Sequence, residues 1–445
     1  MDMGARVTSR SQSDWRLGSL IGEDMRRTKE ELNDFIASQR QSECFEDLPL
    51  EGVRVIDIST VVAAPYAAAL LGDAGAEVIK IENPRVPDGL RSWGTLKESG
   101  IEPYHAVIGR NKLPVTLNLK SPEGRDIFFK LIKEADVLVD NVRVGVMERL
   151  GLSQDKLLAA NPGLITAKVS GYGVTGPNAG QPGFGTIAEA YSGFTYLNGA
   201  VEGGPTSPPN PLADLTAGVH LALAVTLALR QQERGKKGGQ LIDISLYEPL
   251  LGFLGGEFLG YKLTGKNPER IGNELRAAAP RNNYRTKDNE WVALSCSSQK
   301  PWEKFAIAMG REDLINDPRF ISNNDRILPE SRAVLNEIIQ GWFATKTKDE
   351  ALAICRQEQL TAGPIMTMKD IDADQHISER GTFVNMEDPA TGIELSIPNV
   401  PFRLTGQPAK VRFPGLPHGS ANDTVLQDMG YDKATIQRLS ANGVI

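Results

Sequence analysis

The sequence predicts an α/β fold in which a large, Rossmann-like domain with a mainly parallel sheet is joined by long linkers to a smaller α+β domain. Short β-branched runs alternate with helical stretches along the first half of the chain, which is typical of a parallel sheet. Later in the chain, two strand-like runs flank a turn and predict a β-hairpin in a second domain. The β-branched runs that predict parallel strands are 53–58, 77–81, 115–117, 135–139 and 164–169.

Helix signals lie between and after these runs. The sequence Ser121-Pro122-Glu123 supplies an N-cap, a proline at the first helical position and an acid in the first turn, so it predicts a helix that ends near Glu134. Residues 215–230 are almost wholly apolar. This composition predicts a helix buried between layers rather than one on the surface.

The sequence pattern of the chain changes after the strand-like run 241–246, where we place a domain boundary. A glycine-rich helical stretch at 252–260 follows, and residues 280–296 are typical of a strand, a Lys-Asp-Asn turn and a second strand. Prolines between 398 and 417 mark an extended run before a final helix from about Lys433. The predicted segments are a polar N-terminal extension with a helix within 24–40 (1–48), the large domain (49–235), a linker helix (236–265), the small domain (266–360) and a C-terminal linker that returns to the large domain (361–445).

Composition and charge argue against several classes of function. Lys and Arg total 49 against 56 Asp and Glu, a net charge of −7, and no segment forms the basic stripe that binds nucleic acid. Three cysteines at wide spacing favour a reducing cytoplasm over a disulfide framework. The longest apolar stretches, 61–71 and 219–229, are shorter than the roughly 20 residues of a membrane span, and the N-terminus lacks the apolar core of a secretion signal. We therefore expect a cytoplasmic protein with no membrane and no nucleic-acid partner.

Common cofactor and hydrolase motifs do not account for the sequence. Residues 171–176 match the dinucleotide pattern GxGxxG, but Pro177 follows and the stretch cannot open a helix. There is no GxxxxGK[ST] loop and no GxSxG elbow, and the four histidines are scattered. Nucleotide hydrolysis, a metal site and the common serine hydrolase route are therefore not expected.

Eight short segments spread in order over residues 49–445 carry a family resemblance. They are LEGVRVIDIS (50–59), GAEVIKIE (75–82), VTLNLKSPEG (115–124), ADVLVDN (135–141), LGL (150–152), NPGLI (161–165), SGYGVTGP (170–177) and LADLTAG (212–218). Together they resemble the class III CoA-transferase family, which includes the formyl-CoA, crotonobetainyl-CoA and benzylsuccinate CoA-transferases. The resemblance implies a CoA-binding large domain, CoA and acyl-CoA as substrates with no bound cofactor, and an interlocked dimer in which each chain threads the other.

The resemblance also implies that Asp214 is the catalytic nucleophile. A carboxylate can attack the thioester carbonyl, form a mixed anhydride and hold the acyl group while the acid and CoA exchange. Backbone N–H groups of a neighbouring glycine-rich loop could stabilise the oxyanion. An aspartate at this position could also be the N-cap of the apolar helix expected from Leu215, and both roles can hold at once.

The remaining residues that the resemblance implies belong to a CoA site after the ends of strands, where ligands bind in open α/β sheets. Arg143 and Arg149 could pair with the CoA phosphates or could lie on a solvated helix face. Val62, Ala63 and Leu117 could equally belong to the core. The implied CoA-binding residues are Val62, Ala63, Asn83, Leu117, Lys120, Asn141, Val142, Arg143, Arg149, Gln181 and Phe184.

The sequence departs from the family pattern at three places. Many relatives carry a carboxylate at the position of Gly185; Glu189, one helical turn on, could stand in for it, although a surface position is expected for this glutamate. The racemases of the superfamily use a histidine at the position of Phe184. Formyl-CoA transferases have a glycine-only flap where this chain has residues 272–280, so oxalate is a disfavoured acceptor.

Three functions stay open at this point. Asp214 in its Ala-Asp-Leu-Thr-Ala-Gly context favours an intermolecular CoA-transferase acting on an organic acid. An isomerase or racemase of the same fold would need a second acid or base near Asp214, and a structural subunit of a heteromer would borrow its active site from a homologous partner. Phe184, Tyr191 and Tyr196 would suit a bulky acid, but packing in the core around the glycine-rich loop is the favoured interpretation.

Overall fold

The computed structural model describes residues 27–41, 44–94, 96, 99–236, 238–406 and 408–445. Within them the chain divides into two compact units. The first unit contains the described residues up to 188 together with 211–250 and 381–445, and the second contains 189–210 and 251–380. The chain therefore leaves the first unit twice and returns to it twice.

The strands form three sheets. A six-stranded sheet has the order β3-β2-β1-β4-β5-β6, a three-stranded sheet has the order β7-β8-β9, and β10 pairs with β11. The strands are β1 (Arg54–Asp57), β2 (Glu77–Glu82), β3 (Lys112–Thr116), β4 (Val137–Asp140), β5 (Ile165–Ser170), β6 (Gln240–Ser245), β7 (Arg281–Arg285), β8 (Trp291–Ser295), β9 (Ala362–Pro364), β10 (Phe383–Glu387) and β11 (Glu394–Pro398).

The helices surround and connect these sheets. They are α1 (Lys29–Ser38), α2 (Ala63–Asp73), α3 (Pro103–Ile108), α4 (Pro122–Lys133), α5 (Val146–Arg149), α6 (Gln154–Ala160), α7 (Gly185–Tyr191), α8 (Phe194–Leu197), α9 (Leu212–Glu233), α10 (Glu248–Phe253), α11 (Gly255–Thr264), α12 (Gln299–Ala308), α13 (Asn323–Arg326), α14 (Pro329–Ala344), α15 (Lys348–Gln357), α16 (Met368–Ala373), α17 (Gln375–Glu379), α18 (Asn422–Asp428) and α19 (Lys433–Ala441), with short 3-10 turns at Gly89–Ser92 and Glu312–Ile315.

The six-stranded sheet is parallel throughout, which confirms the predicted α/β fold. Its strand order reverses between β1 and β4, which pair with Val55 opposite Val137. Asn141 after β4 and Thr60 after β1 are hydrogen-bonded to each other at this switch point. A crevice at the carboxyl ends of the strands is where open α/β sheets bind their ligands.

Local signals in the sequence account for several elements of the first unit. The Ser121 side chain caps α4 by accepting the N–H of Gly124, and the helix ends one residue before the predicted Glu134. Within the N-terminal extension, α1 lies on the first unit because Ile36 is fully buried in its core and the Phe35 ring packs edge-on against Phe413. Residues 24–26 of that predicted helix lie outside the described residues.

Helix α9 differs from its sequence prediction. It was expected to be buried between layers, but Val219, Leu223 and Leu227 are each about half exposed. The buried side presents small residues to α2, and a methyl group added at Gly218 would lie 2.6 Å from the Ala63 carbonyl oxygen. The uniformly apolar composition therefore concealed a face of small residues that allows close packing. Within the described residues α9 is the one helix that is long and apolar enough to cross a membrane, by length and composition only.

The second unit has its own core and contains the predicted hairpin. Strands β7 and β8 pair antiparallel, with Tyr284 opposite Val292, and β9 extends this sheet. The Tyr284 ring stacks on Phe343 with centroids 5.2 Å apart, and Trp302 and Phe305 pack in the same cluster.

Several charged side chains are buried beneath the carboxyl ends of β1, β2 and β3. Lys112 Nζ lies 2.9 Å from Asp57 Oδ2, and Arg91 Nη2 lies 2.7 Å from Glu82 Oε2. Burial alone disfavours the charged form of Glu82, but the hydrogen bonds and positive charge of Arg91 outweigh it and lower the Glu82 pKa to about 2. Pairing is what makes these charges tolerable in the interior.

This depressed pKa predicts an acid dependence of stability. An ionised Glu82 stabilises the folded state above the unfolded pKa of about 4.5, and this contribution is lost as pH falls from there to about 2. Glu82→Gln should therefore lower stability at neutral pH and reduce the pH slope of the unfolding free energy in this window by up to about 1.4 kcal/mol per pH unit. Urea unfolding at a series of pH values measures the stability at neutral pH and the pH slope of the unfolding free energy. Glu123→Gln removes an exposed carboxylate 2.8 Å from Arg438 Nη1 and is the control that should leave the slope nearly unchanged; equal slopes for the wild type and Glu82→Gln would contradict the prediction.

Candidate active site

Asp214 lies in the first turn of α9, which begins at Leu212. The alternative that Asp214 is the N-cap of a helix beginning at Leu215 is wrong, because the helix begins three residues earlier and Pro211 occupies the cap position. The side chain of Asp214 is half-buried. The N-terminal end of a 22-residue helix favours negative charge, so this position suits a carboxylate.

Gly185 lies directly against the Asp214 carboxylate. A methyl group added at Gly185 would lie 1.9 Å from Asp214 Oδ2, so any side chain at 185 would displace this carboxylate. Glycine at position 185 therefore leaves room for the Asp214 carboxylate.

The glycine-rich loop positions Gly185 beside Asp214, because its two ends contact each other. Gly171 and Gly183 meet so closely that a methyl group on Gly171 would lie 2.7 Å from the Gly183 Cα atom. The loop leaves the end of β5 at Gly171 and comes back to it at Gly183, two residues before α7 begins. Only glycine at both positions permits this contact.

The segment between β1 and α2 leads into a second contact with the first turns of α9. The Ala63 carbonyl contacts Gly218, one helical turn after Asp214, so the start of α2 is beside the first turns of α9. Asn141, which follows β4, accepts the N–H of Thr60 at 2.9 Å and donates to the Thr60 carbonyl at 2.7 Å. The candidate residues Val62 and Ala63 are buried at the start of α2, and the Ala63 carbonyl lies one turn of α9 away from Asp214.

The other predicted CoA-binding residues follow β2, β3, β4 and β5 along the chain. Arg143, Arg149 and Lys120 are exposed, which leaves them accessible to phosphate groups. Asn83 is exposed, and its Oδ1 accepts the N–H groups of Arg85 and Val86. None of these contacts assigns a ligand.

Leu117 and Val142 contribute differently from the exposed members of this set. Leu117 is buried in the core of the first unit. Val142 is half-buried, donates its N–H to Asp140 and accepts Lys168 Nζ at its carbonyl oxygen. Gln181, in the glycine-rich loop, is exposed.

Two expectations about side-chain burial near the glycine-rich loop were wrong. Glu189 was expected at the surface, but it is 2% exposed. Phe184, Tyr191 and Tyr196 were expected in the core, but they are 71%, 54% and 48% exposed. These residues are close together in the sequence, but no periodic pattern among them shows which side chains are covered.

Comparison with known proteins agrees with this geometry. The model of CoA-transferase family III matches residues 50–422. The chain belongs to CoA-transferase family III. Family III membership confirms the resemblance found in the sequence and shows that the protein is an enzyme of the CoA-transferase type.

Individual relatives and solved structures cover most of the chain. The alpha subunit of succinyl-CoA–L-malate CoA-transferase from Chloroflexus aurantiacus is 38% identical over 90% of this chain and 93% of its own length. The beta subunit of the enzyme of that name from the same species is also 38% identical, over 86% of this chain and 94% of its own length. A crystal structure of a CAIB/BAIF family protein from Brucella suis has a TM-score of 0.75 and 27% identity, and covers 86% of this chain and 99% of that one.

CoA-transferases use CoA thioesters as substrates. Within the part of the chain that the structure describes, no cluster of three or more His, Cys, Asp or Glu side chains could hold a metal ion.

One functional feature of this site was missed in the sequence. Asp88 Oδ1 accepts the N–H of Val61 at 2.8 Å and thereby contacts the segment that carries Val62 and Ala63. Asp88 lies between β2 and β3 in a Pro-Asp-Gly sequence, which signals only a turn. No local pattern could have connected it with Val61, 27 residues earlier.

Proposed function

We propose that this enzyme transfers CoA from an acyl-CoA thioester to a free carboxylic acid through an anhydride on Asp214. The close approach of the Asp214 carboxylate to Gly185 carries the proposal, because a thioester bound there would have backbone groups of the glycine-rich loop around its carbonyl. An Asp214 oxygen attacks the thioester carbonyl, the C–S bond breaks and CoA leaves as a thiolate.

The return of CoA completes the exchange. The thiolate attacks the Asp214 carbonyl, which releases the donor acid and leaves CoA joined to Asp214 as a thioester. The acceptor carboxylate then attacks this aspartyl thioester and displaces the CoA thiolate, forming a second mixed anhydride. The thiolate finally attacks the acceptor carbonyl, which yields the new acyl-CoA and regenerates the Asp214 carboxylate, so the cycle consumes no other reactant.

The first substrate pair to test is succinyl-CoA with L-malate. Two relatives at 38% identity over most of the chain carry this pair in their names, and both substrates are dicarboxylates. Incubating the purified chain with succinyl-CoA and L-malate should give malyl-CoA and free succinate, detected by liquid chromatography and mass spectrometry. A panel of other dicarboxylic, hydroxy and aromatic acids defines the acceptor. Failure of the chain to form any new CoA thioester from the panel would refute an independent CoA-transferase.

A second candidate is that the chain is one subunit of a heteromeric CoA-transferase. The chain is 38% identical to the alpha subunit of succinyl-CoA–L-malate CoA-transferase and 38% identical to the beta subunit. Sequence identity therefore favours neither subunit role for this chain. In that case the purified chain is inactive alone and becomes active when a homologous subunit is co-expressed. Activity of the chain alone would exclude this arrangement.

We further propose that the chain forms an interlocked dimer with a second copy of itself when no such partner is present. Helix α11 has no buried residue, and its Phe258, Leu259 and Leu263 are more than half exposed. Apolar faces of this kind are rarely left open in a monomer. Light scattering during size-exclusion chromatography should give twice the chain mass, and a concentration-independent monomer would contradict the dimer.

We also propose the cytoplasm as its location. Cys296 and Cys355 are buried free thiols, and burial raises the pKa of each to about 11, so both stay protonated at neutral pH. Unreactive, unpaired thiols suit a reducing compartment. Fractionation of the native host's cells should recover the enzyme with soluble cytoplasmic markers, and recovery outside the cytoplasm would refute the proposal.

A further inference from the structure

The segment that joins β1 to α2 is held residue by residue by side chains from other parts of the first unit. Asp57 Oδ1 accepts the N–H of Ser59 at 2.9 Å, and Lys80 Nζ donates to the Ser59 carbonyl. Asn141 bonds both the N–H and the carbonyl of Thr60. Asp88 accepts the N–H of the next residue, Val61. Side chains thus hold the backbone of three consecutive residues, Ser59, Thr60 and Val61.

Val61 has a backbone conformation that its residue type disfavours. Its φ angle is +68°, and a β-branched residue is a genuine outlier in this left-handed region. Such conformations persist only where the surrounding structure imposes them, and they concentrate at functional sites. The hydrogen bond from the Val61 N–H to Asp88 is the direct contact that imposes this one.

Asp88 is itself immobilised on several sides. It is 7% exposed, and its Oδ2 lies 3.2 Å from Lys80 Nζ. Its Oδ1 also accepts the N–H of Leu90 at 3.0 Å, and its own N–H donates to Glu82 Oε1 at 3.0 Å. The contacts with Lys80 and Glu82 therefore fix Asp88, and Asp88 in turn fixes the position of the Val61 N–H.

The position of Val61 determines where α2 begins. Val62 is the N-cap of α2, and Ala63 is its first residue and contacts Gly218, one turn after Asp214. If Val61 relaxed to an extended conformation, the chain would enter α2 from another direction, and the buried Val62 and Ala63 would lose their positions beside α9. The strained residue thus links the charge network to the place where the thioester is proposed to bind.

We infer that Asp88 is a positioning residue for CoA-thioester binding, which holds Val61 in its left-handed conformation and so sets Val62 and Ala63 beside Asp214. This inference rests on the proposed function, because it takes Val62 and Ala63 to be part of the CoA site. It assigns no contact between Asp88 and CoA.

The test is a double-mutant cycle with the dissociation constant of CoA as its readout, measured by isothermal titration calorimetry on the full chain. Asp88→Ala should weaken CoA binding by about 10-fold to 100-fold, because the free-energy cost of the Val61 conformation is no longer offset. Glycine adopts a positive φ at no steric cost. In the Val61→Gly background, Asp88→Ala should therefore weaken CoA binding by no more than about 3-fold.

Two further variants separate positioning from general stability. Asp88→Asn keeps an oxygen that can accept the Val61 N–H, so it should retain most of the CoA affinity that Asp88→Ala loses. Asp73→Ala removes another buried carboxylate, 2.7 Å from Arg110 Nη2 at the far end of α2. It should lower the melting temperature but change the CoA dissociation constant by less than about 2-fold.

The outcomes distinguish this inference from the proposed function. If the wild type binds CoA and Asp88→Ala weakens binding equally in both backgrounds at position 61, Asp88 acts only through stability and the inference is overturned. It is overturned as well if Asp88→Ala leaves CoA binding unchanged. Absence of CoA binding by the wild-type chain would instead overturn the proposed function, and the inference with it.

Discussion

Asp214→Asn is expected to lower kcat for CoA transfer by about 10⁴-fold or more, while the variant stays folded and still binds CoA. The amide has nearly the same shape as the carboxylate but is a far weaker nucleophile, so no anhydride can form at a useful rate. Steady-state rates with the best substrate pair measure the loss, and calorimetry with CoA shows whether the site is intact.

A matched control guards against a general effect of removing a charge. Asp155→Asn changes an exposed aspartate in the first turn of another helix of the first unit, α6, and should leave kcat within about 2-fold of the wild type. An Asp214→Asn enzyme that kept a tenth of the wild-type rate would show that Asp214 is not the nucleophile.

The second large effect is expected from Gly185→Ala, which should lower kcat by about 10²-fold with little change in the melting temperature. The added methyl group would lie 1.9 Å from Asp214 Oδ2, and the carboxylate must rotate away to make room. A displacement of about 1 Å at a reacting atom is enough for a loss of this size. Rapid-quench measurement of a single turnover separates this loss from slow product release.

The same loop offers a control for Gly185→Ala. Gly180 has no atom within 4 Å of the position where a methyl group would be added, and its φ is not positive. Gly180→Ala should therefore keep nearly the full rate. If Gly185→Ala also kept the full rate, the close approach of Gly185 to Asp214 would have no part in the chemistry.

The sequence predicts the architecture of the first unit well because local patterns determine it. Short runs of β-branched residues predict each strand of the six-stranded sheet to within a few residues. The Ser121 cap determines where α4 begins. In α9, by contrast, apolar residues occupy all faces, so no periodicity could show that Leu223 points outward or that Gly218 meets α2.

The candidate site was predictable only in part, for a similar reason. The role of Asp214 came from a family resemblance, because an aspartate near a helix start is by itself most often a cap. The contacts that shape the candidate site join residues that are not neighbours in the sequence, such as Asp88 with Val61 and Gly185 with Asp214. These contacts depend on how the loops pack at the end of the sheet. The local sequence pattern of each loop does not determine how it packs against another loop.

The decisive measurement for the anhydride on Asp214 is hydroxylamine trapping of the enzyme during reaction with an acyl-CoA donor, followed by peptide mass spectrometry. A hydroxamate is expected on the peptide that contains Asp214 in the wild type, and none is expected in Asp214→Asn. Turnover of the donor by the wild type without a hydroxamate on that peptide would contradict the anhydride on Asp214.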